Sequence, residues 1–507
     1  MTELVQALDI IARWDVVLAL LVGSIGGVAI GAIPGVGAAI AIAILLPATF
    51  AMEPIVGLTL LLGVYGSAMF GGAVPAVLIN TPGTPVNALT TYDGYPMTQR
   101  GEAPRALSLA YGASFCGGLF SIVCFILLAP VLARIAPLFG SREIFLAALL
   151  GMVLVVVAHR GRSAAAGALL CFGIFLQTIG LHPGSYTKRF TFDQTFLASG
   201  VNLIVVVLGL FAISQAFALL IGRDETKPAL KLEGGLFRGL REVFRFPKIV
   251  LPAAGFGTIM GIIPGVGEFT AQFLSYTWAQ KVSKDPSRFG KGAPEGVIAS
   301  EAANNAVPAA AMIPLLALGI PGEALTAMML SVFYVHNVVP GPSLFTDKLD
   351  FVIALYLCLL ILNVLALVFL IVATKPLLKV IAIPDRFLGM AILTLSFVGV
   401  YSLRNSATDC AIASVFGMLG LVLKRLNLPI VPIILGIVLG GIMETKFRSS
   451  LPRIETPLDF ISRPIASIIF AVIVVVLAAH VWTLVRAHRR KAHAHNPGDA
   501  EANTETT

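Results

Sequence analysis

Two short blocks of small residues place Pro-Gly-x-Gly at matching points of a strongly apolar chain. They run over residues 27–37 and 257–267, and seven of their eleven positions are identical. A Pro/Gly break at membrane depth leaves backbone N–H and C=O groups that only protein, water or a ligand can satisfy. A helix that starts after such a break also presents free N–H groups to an anion. We therefore expect substrate contacts at Pro34, Gly35, Gly37, Pro264, Gly265 and Gly267.

The first part of each block has a second interpretation. Gly27 and Gly31, like Gly257 and Gly261, have the Gly-x-x-x-Gly spacing that lets two helix backbones approach closely. We favour helix packing for this part and ligand binding for the Pro-Gly-x-Gly part.

A further break follows in each half. Residues 80–87 read Asn-Thr-Pro-Gly-Thr-Pro-Val-Asn, and the two prolines prevent a continuous helix. The second half offers Asn304-Asn305 and then residues 319–323, with Gly319 aligned to Gly83. Additional substrate contacts are expected from Asn80, Thr81, Gly83, Thr84, Gly319, Pro321 and Gly322.

Amides and hydroxyls in these segments can donate to carboxylates, while their oxygens suit a hard cation. The pattern predicts a Na⁺ site formed by Asn80, Thr81, Asn304 and Asn305. Ordinary turns outside the membrane are the alternative.

Acidic residues near the breaks occur only in the second copy, at Glu268, Glu295, Glu301 and Glu323. Carboxylates inside a membrane are costly and usually functional. Glu268 and Glu301 are the favoured proton or cation sites, with a loop-facing carboxylate equally open for each.

Composition sets the class. Hydrophobic residues make up 57% and charged residues 12% of the 507 positions, too little charge for a soluble protein. The apolar runs predict an all-α polytopic membrane protein with roughly 11 to 13 crossings, some of them half-helices or re-entrant hairpins. The net charge of +8 fits loops facing anionic lipid better than nucleic acid.

Charge along the chain predicts its organisation. We expect a first membrane repeat at 15–221, a basic cytoplasmic linker at 222–248 and a second repeat at 249–445. A further helix is expected at 464–485, followed by a disordered cytoplasmic tail at 486–507. The linker holds seven basic and four acidic residues, which places it inside, whereas the N-terminal stretch to Asp15 has three acidic residues and one basic residue and is expected outside. An odd number of crossings in each repeat would make the two repeats inverted.

Other classes of protein find little support. No Gly-Lys-Ser/Thr ends a Gly-rich loop, and the spans show no paired nucleophile and base and no His/Glu metal set. We therefore predict neither an enzyme nor an ATP-binding chain, and no cofactor beyond a coupling ion. The five cysteines lack C-x-x-C spacing and fit small buried residues.

The doubled G-x-x-x-G-x-x-P-G-x-G, the segment 80–85 and the Tyr-Asp-Gly-Tyr-Pro stretch at 92–96 resemble the large membrane subunit of tripartite tricarboxylate transporters, the TctA family. The resemblance covers nearly the whole chain except the tail. It implies a multi-pass subunit of the bacterial inner membrane that works with a small four-helix membrane subunit and a periplasmic solute-binding protein. It further implies uptake of carboxylates such as citrate with Na⁺ or H⁺.

Uncharged oxygens at the breaks favour Na⁺ symport, with protons as the second choice. A stand-alone, H⁺-coupled carrier or channel for another organic anion would share every feature above and remains the alternative.

Overall fold

A computed structural model describes residues 2–159, 161–182, 187–222 and 235–494, and these residues are almost entirely helical. One short antiparallel pair is present, β1 (Gly180–Leu181) with β2 (Lys188–Arg189). The all-α fold is therefore confirmed. Residues 223–234 of the predicted linker and 495–507 of the predicted tail lie outside the described residues.

The first half begins with α1 (Thr2–Ala12), α2 (Trp14–Gly31), α3 (Gly37–Thr49) and α4 (Pro54–Ile79). It continues through α5 (Thr90–Gln99), α6 (Ala103–Ile135), α7 (Ser141–Ala158) and α8 (Ser163–Thr178). It ends with α9 (Thr195–Ala198), α10 (Leu203–Val207) and α11 (Ser214–Ile221), with a π-helical segment, Leu208–Ile213, joining the last two.

The second half begins with α12 (Phe237–Val243), α13 (Pro247–Ile262), α14 (Gly267–Val282) and α15 (Pro294–Leu318). It continues through α16 (Ala324–Val335), α17 (Leu344–Asp347), α18 (Leu349–Ile381), α19 (Asp385–Arg404), α20 (Ala407–Arg425) and α21 (Val431–Ser450). One more helix, α22 (Pro464–Ala494), follows. Short 3₁₀ turns lie at Pro85–Asn87, Ala136–Leu138, Pro286–Arg288, Leu451–Arg453 and Pro457–Ile461.

Nine helices of the described residues are long and apolar enough to cross a membrane, against the roughly 11 to 13 crossings expected. Two more, α15 with 25 residues and α21 with 20, have sufficient length. Their apolar character is diluted by polar residues such as Glu301 and Asn304 in α15 and Glu444 in α21. By length alone α15 and α21 would count as membrane crossings, whereas by apolar character they do not.

The two halves repeat the same break. α2 and α13 each end just before a Pro-Gly-Val-Gly turn, and the shorter helices α3 and α14 begin at its last glycine. Gly35 and Gly265 have φ of +79° and +80°, and Gly37 and Gly267 have +66° and +69°. Such left-handed conformations are accessible mainly to glycine, which explains why both copies keep these glycines.

The second pair of breaks has a different register from the one expected. Asn80 ends α4 in the left-handed conformation, and Gly319 ends α15 in the same way. Gly83 packs against the carbonyl of Gly31, and Gly322 lies against the carbonyl of Gly261. Gly83 therefore corresponds to Gly322 rather than to Gly319, because both Pro-Gly pairs fold back onto the first helix of their own half.

The Gly-x-x-x-Gly spacing serves packing, as expected. A Cβ on Gly31 would lie 2.2 Å from the Ala68 carbonyl of α4, and one on Gly257 would lie 2.2 Å from the Ala303 carbonyl of α15. The helix pairs α2–α4 and α13–α15 thus touch through their backbones.

The outer helices are exchanged between the halves. α6 of the first half packs on α13 and α15, and α18 of the second half packs on α2 and α4. Likewise α7 and α8 pack on α21, while α19 and α20 pack on the α10–α11 segment. This reciprocity is what a two-fold relation between the halves requires. The inversion of the repeats stays a prediction.

Helix ends lie near the predicted domain limits, since α11 ends at Ile221 and α13 starts at Pro247, although α21 continues to Ser450. α22 extends through Ala494, so the tail predicted to be disordered begins as helix. The reason is its content of Ala, Arg and Lys, all good helix formers.

Candidate functional site

The two Pro-Gly-Val-Gly breaks meet at one cavity of about 390 Å³. Its walls come from the start of α3, the start of α14, the turn before α5 and the start of α16, closed by parts of α11, α20 and α21. Most of the wall is apolar, with a few polar side chains, as is usual for small-molecule sites.

Five of the predicted substrate residues line this cavity: Gly35, Gly37, Thr84, Gly265 and Gly267. A Cβ on Gly267 would meet nothing within 4 Å, and one on Gly35 would meet only the Gln215 amide nitrogen at 3.3 Å. Gly265 differs, since a Cβ there would lie 2.2 Å from Val155. Gly267 therefore faces open space and a Cβ on Gly37 would make ordinary contacts with Thr84 and Pro85 at 3.7–3.8 Å, while Gly265 is packed against α7.

The remaining predicted substrate residues do not line the cavity: Pro34, Asn80, Thr81, Gly83, Pro264, Gly319, Pro321 and Gly322. Asn80 and Gly319 end helices, and Gly83 and Gly322 pack on backbone carbonyls. Thr81 is exposed, and its hydroxyl donates to the carbonyl of Ile79. The three prolines frame the turns without reaching the cavity, because their role in breaking the helix is conformational.

Two buried carboxyl groups of the cavity wall share a single tyrosine. The Tyr65 hydroxyl contacts Glu268 Oε1 at 3.2 Å and also bonds Glu323 Oε1. Glu268 lies in the first turn of α14, and Glu323 precedes the first residue of α16. Helix N-termini stabilise negative charge. One phenol carries one hydrogen and can donate to only one of the two carboxylates, so the group has room for one more positive charge.

Glu301, the other acidic candidate, does not line this cavity. Its carboxylate accepts from Asn87 Nδ2 at 3.0 Å, Ser114 Oγ at 3.0 Å, Thr90 Oγ1 at 2.5 Å and Asn305 Nδ2 at 3.4 Å. Four donors on two oxygens satisfy a carboxylate, which accepts only. The network fastens α15 to α5 and α6, and it gives Glu301 a structural role that the sequence does not reveal.

The predicted Na⁺ ligands are not brought together. Asn80 and Thr81 are exposed at the end of α4, while Asn304 and Asn305 are buried within α15. Asn305 donates to Ser114 and Glu301, and both amide atoms of Asn304 lack a partner among the described residues. The four residues are divided between an exposed helix end and a helix interior, and a Na⁺ site built from all four stays a prediction.

A lysine also faces the cavity. Lys424 Nζ, near the end of α20, donates to Gln215 Oε1 of α11 at 2.8 Å. Within the described ranges it has no carboxylate within 4.0 Å. His159 completes the ionisable lining, and its Nδ1 contacts the Val155 carbonyl at 2.7 Å.

The stretch 92–96 has a packing role. Asp93 Oδ1 accepts the backbone N–H groups of Gly292 and Ala293, each at 2.8 Å, and Oδ2 accepts from the Tyr276 hydroxyl at 2.7 Å. Asp93 thus stabilises the N-terminus of α15 from the other half of the chain.

Sequence reasoning did not identify Tyr65, Gln215 and Lys424, and it ranked Glu323 below Glu268 and Glu301. Tyr65 is an isolated tyrosine in an apolar helix, and Lys424 resembles the basic flank of a span. The only signal for Glu323 was its position directly after Pro321-Gly322.

Comparisons with known proteins show which family the chain is similar to. The model of the tripartite tricarboxylate transporter TctA family matches residues 17–435. An uncharacterized 52.8 kDa protein from the TAR-I ttuC' 3' region of Agrobacterium vitis is 32% identical over 475 residues, 93% of this chain and 94% of the relative. A protein from the TAR-II ttuC' 3' region of the same organism is 33% identical over 239 residues, 46% of this chain and 97% of the relative. No solved structure matches the chain.

Proposed function

The chain belongs to the tripartite tricarboxylate transporter TctA family, and we propose that it imports di- or tricarboxylates, citrate-like anions, by Na⁺ symport. In this proposal it forms the translocation path across the bacterial inner membrane. A small four-helix membrane subunit and a periplasmic solute-binding protein work with it, the latter delivering the anion.

One observation carries the proposal: the two helix breaks, far apart in sequence, line a single cavity that holds both acidic and basic side chains. Discontinuous helices that meet at one site are typical of secondary transporters, which bind anions at helix N-termini and cations at oxygens. The starts of α3 and α14 both lie at this cavity, and in the proposal the anion binds at one and the cation at the other.

The acidic pair supports coupling to a cation. Glu268 and Glu323 both contact Tyr65, and two like charges at such close range repel unless a proton or metal cation joins them. Inward movement of a dianion against a potential that is negative inside costs roughly 2.3 kcal/mol per charge per 100 mV. More than two monovalent cations per dianion therefore make uptake electrically favourable.

Protons are the second candidate, favoured by the same carboxyl pair. The test is uptake of radiolabelled citrate into proteoliposomes that contain the chain, its small membrane subunit and the binding protein. Uptake should follow an imposed Na⁺ gradient, should need the binding protein and should ignore ATP. Uptake driven by a pH gradient alone would replace Na⁺ with H⁺, uptake without the binding protein would indicate a stand-alone carrier, and a need for ATP would refute secondary transport.

A further inference from the structure

The charges of the cavity are divided between its two breaks. Aligning the two Pro-Gly-Val-Gly turns pairs Ala38 with Glu268, and aligning Gly83 with Gly322 pairs Thr84 with Glu323. The second break therefore carries two carboxyl groups, while the first carries none at the same positions. When these carboxyl groups are ionised they repel an anion, whereas the first break has no such group.

Lys424 lies beside the first break. Its ammonium bonds Gln215 Oε1, and Gln215 Nε2 in turn lies 3.3 Å from the point where a Gly35 Cβ would be. Lysine, amide and break thus form one continuous wall of the cavity.

The bond from Lys424 also fixes the orientation of Gln215. An ammonium only donates, so it must face the amide oxygen, and the Gln215 NH₂ group is turned toward Gly35. That NH₂ has no hydrogen-bond partner among the described residues. Two donors, one charged and one neutral, are therefore available on the same wall.

Within the part of the chain that the structure describes, the ammonium has no counter-charge. Glu268 and Glu323, the carboxyl groups of the cavity, are not within ion-pair distance of Lys424 and are engaged with Tyr65. A partly buried ammonium bonded only to a neutral amide gains most from a carboxylate, which accepts shorter and stronger charge-assisted hydrogen bonds. The α3 N-terminus beside Gly37 adds a favourable field.

We propose that Lys424 and Gln215 bind a carboxylate group of the transported anion against the first break. The assignment rests on the proposed function and deepens it, since it gives the anion and the cation separate places in one cavity. Glu268, Glu323 and Tyr65 hold the cation at the second break.

The test is equilibrium binding of citrate, succinate and tartrate to the purified full-length chain by isothermal titration calorimetry at fixed Na⁺ concentration. Lys424→Gln keeps a side chain that can bond Gln215 but removes the charge, and should weaken binding about 10- to 100-fold. Lys424→Arg should keep the affinity within a few-fold. Arg425→Gln, a neutralised neighbour on the exposed side of α20, is the matched control and should bind like the wild type.

A second variant tests the same wall without removing the lysine. Gln215→Glu places a carboxylate of nearly identical size beside Lys424 and should compete with the substrate for the ammonium. We expect weaker binding by a similar factor, with a melting temperature at or above that of the wild type.

The outcomes separate the two proposals. Wild-type affinity in Lys424→Gln or in Gln215→Glu overturns the carboxylate subsite and leaves carboxylate transport standing. If the wild-type chain neither binds these anions nor supports their uptake in proteoliposomes with its partners, the proposed function fails instead. Loss of binding in the control variant Arg425→Gln would likewise overturn the specific role of Lys424.

Discussion

At the scale of single residues, two variants of Gly35 distinguish the effect of backbone strain from the effect of filling the cavity. Its φ of +79° means that any side chain costs about 1–2 kcal/mol, whatever the space. Gly35→Ala should therefore lose stability but keep much of its uptake, whereas Gly35→Leu should lose the same stability and also fill the cavity. Radiolabelled uptake and thermal unfolding, measured on both variants, provide the comparison.

Gly101 is the control for Gly35. It has φ of +80° and nothing within 4 Å of a Cβ, and it lies between α5 and α6, away from the cavity. Gly101→Leu should pay a similar conformational cost and still transport. Uptake at the wild-type rate by Gly35→Leu would remove the first break from the site.

The acidic pair yields a prediction about Na⁺. Neutralising Glu268 or Glu323 removes a charged ligand, so each Gln variant should raise the half-saturating Na⁺ concentration for uptake by about 10-fold or more. Tyr65→Phe removes the shared hydroxyl and should also shift the Na⁺ dependence. Initial rates over a Na⁺ titration provide the measurement, with the exposed Glu455→Gln as control.

An unchanged Na⁺ dependence in both carboxyl variants, with uptake retained, would exclude the pair as the coupling site. Glu301→Gln is informative beside them, because its four hydrogen bonds make lost stability the expected result rather than altered coupling.

At the scale of helices, the close contact between α2 and α4 positions the helix that carries Tyr65. A Cβ on Gly31 would fall 2.2 Å from a backbone oxygen of α4, the helix that carries Tyr65. Overpacking of this kind costs about 1–3 kcal/mol or more. Gly31→Leu should lower the melting temperature and impair uptake, while Gly26→Leu, with nothing within 4 Å of its Cβ, should behave like the wild type. Equal behaviour of the two would contradict close packing of α2 on α4.

Much of this helical framework was predictable, and the reason is its local origin. Pro-Gly-Val-Gly breaks and Gly-x-x-x-Gly contacts are encoded within a few residues, so their sequence signals suffice. The site partners are distant, since 203 residues separate Tyr65 from Glu268. No periodic pattern marks such a pair. The hydrogen bonds from Asn87, Thr90 and Ser114 to Glu301 join residues at similarly large separations and could not be predicted for the same reason. The sequence also paired Gly83 with Gly319 instead of Gly322 for a related reason. The correspondence between Gly83 and Gly322 follows from their contacts with the Gly31 and Gly261 carbonyls, which are distant in sequence.

At the scale of the molecule, inversion of the repeats makes corresponding loops face opposite sides of the membrane. α6 and α18, each 33 residues long, occupy corresponding places, and exposed Gly101 and Lys348 lie just before them. Single cysteines at these positions, in a background without native cysteines, should react with an impermeant thiol reagent from opposite sides. Labelling of both from the same side would refute inverted repeats.

The exchange of outer helices also constrains how the protein is made. α6, α7 and α8 emerge from the ribosome long before α13, α15 and α21, on which they pack. In the folded protein Gly117 of α6 packs on Ala302 and Gly173 of α8 packs on Ile433. Until the second half is synthesised, these glycines have no such backbone to pack on. The first half therefore cannot complete its folding during its own synthesis. A chain halted at the central linker would expose these unpartnered faces to membrane quality-control proteases, and separately expressed halves would reach a native state only by pairing with each other.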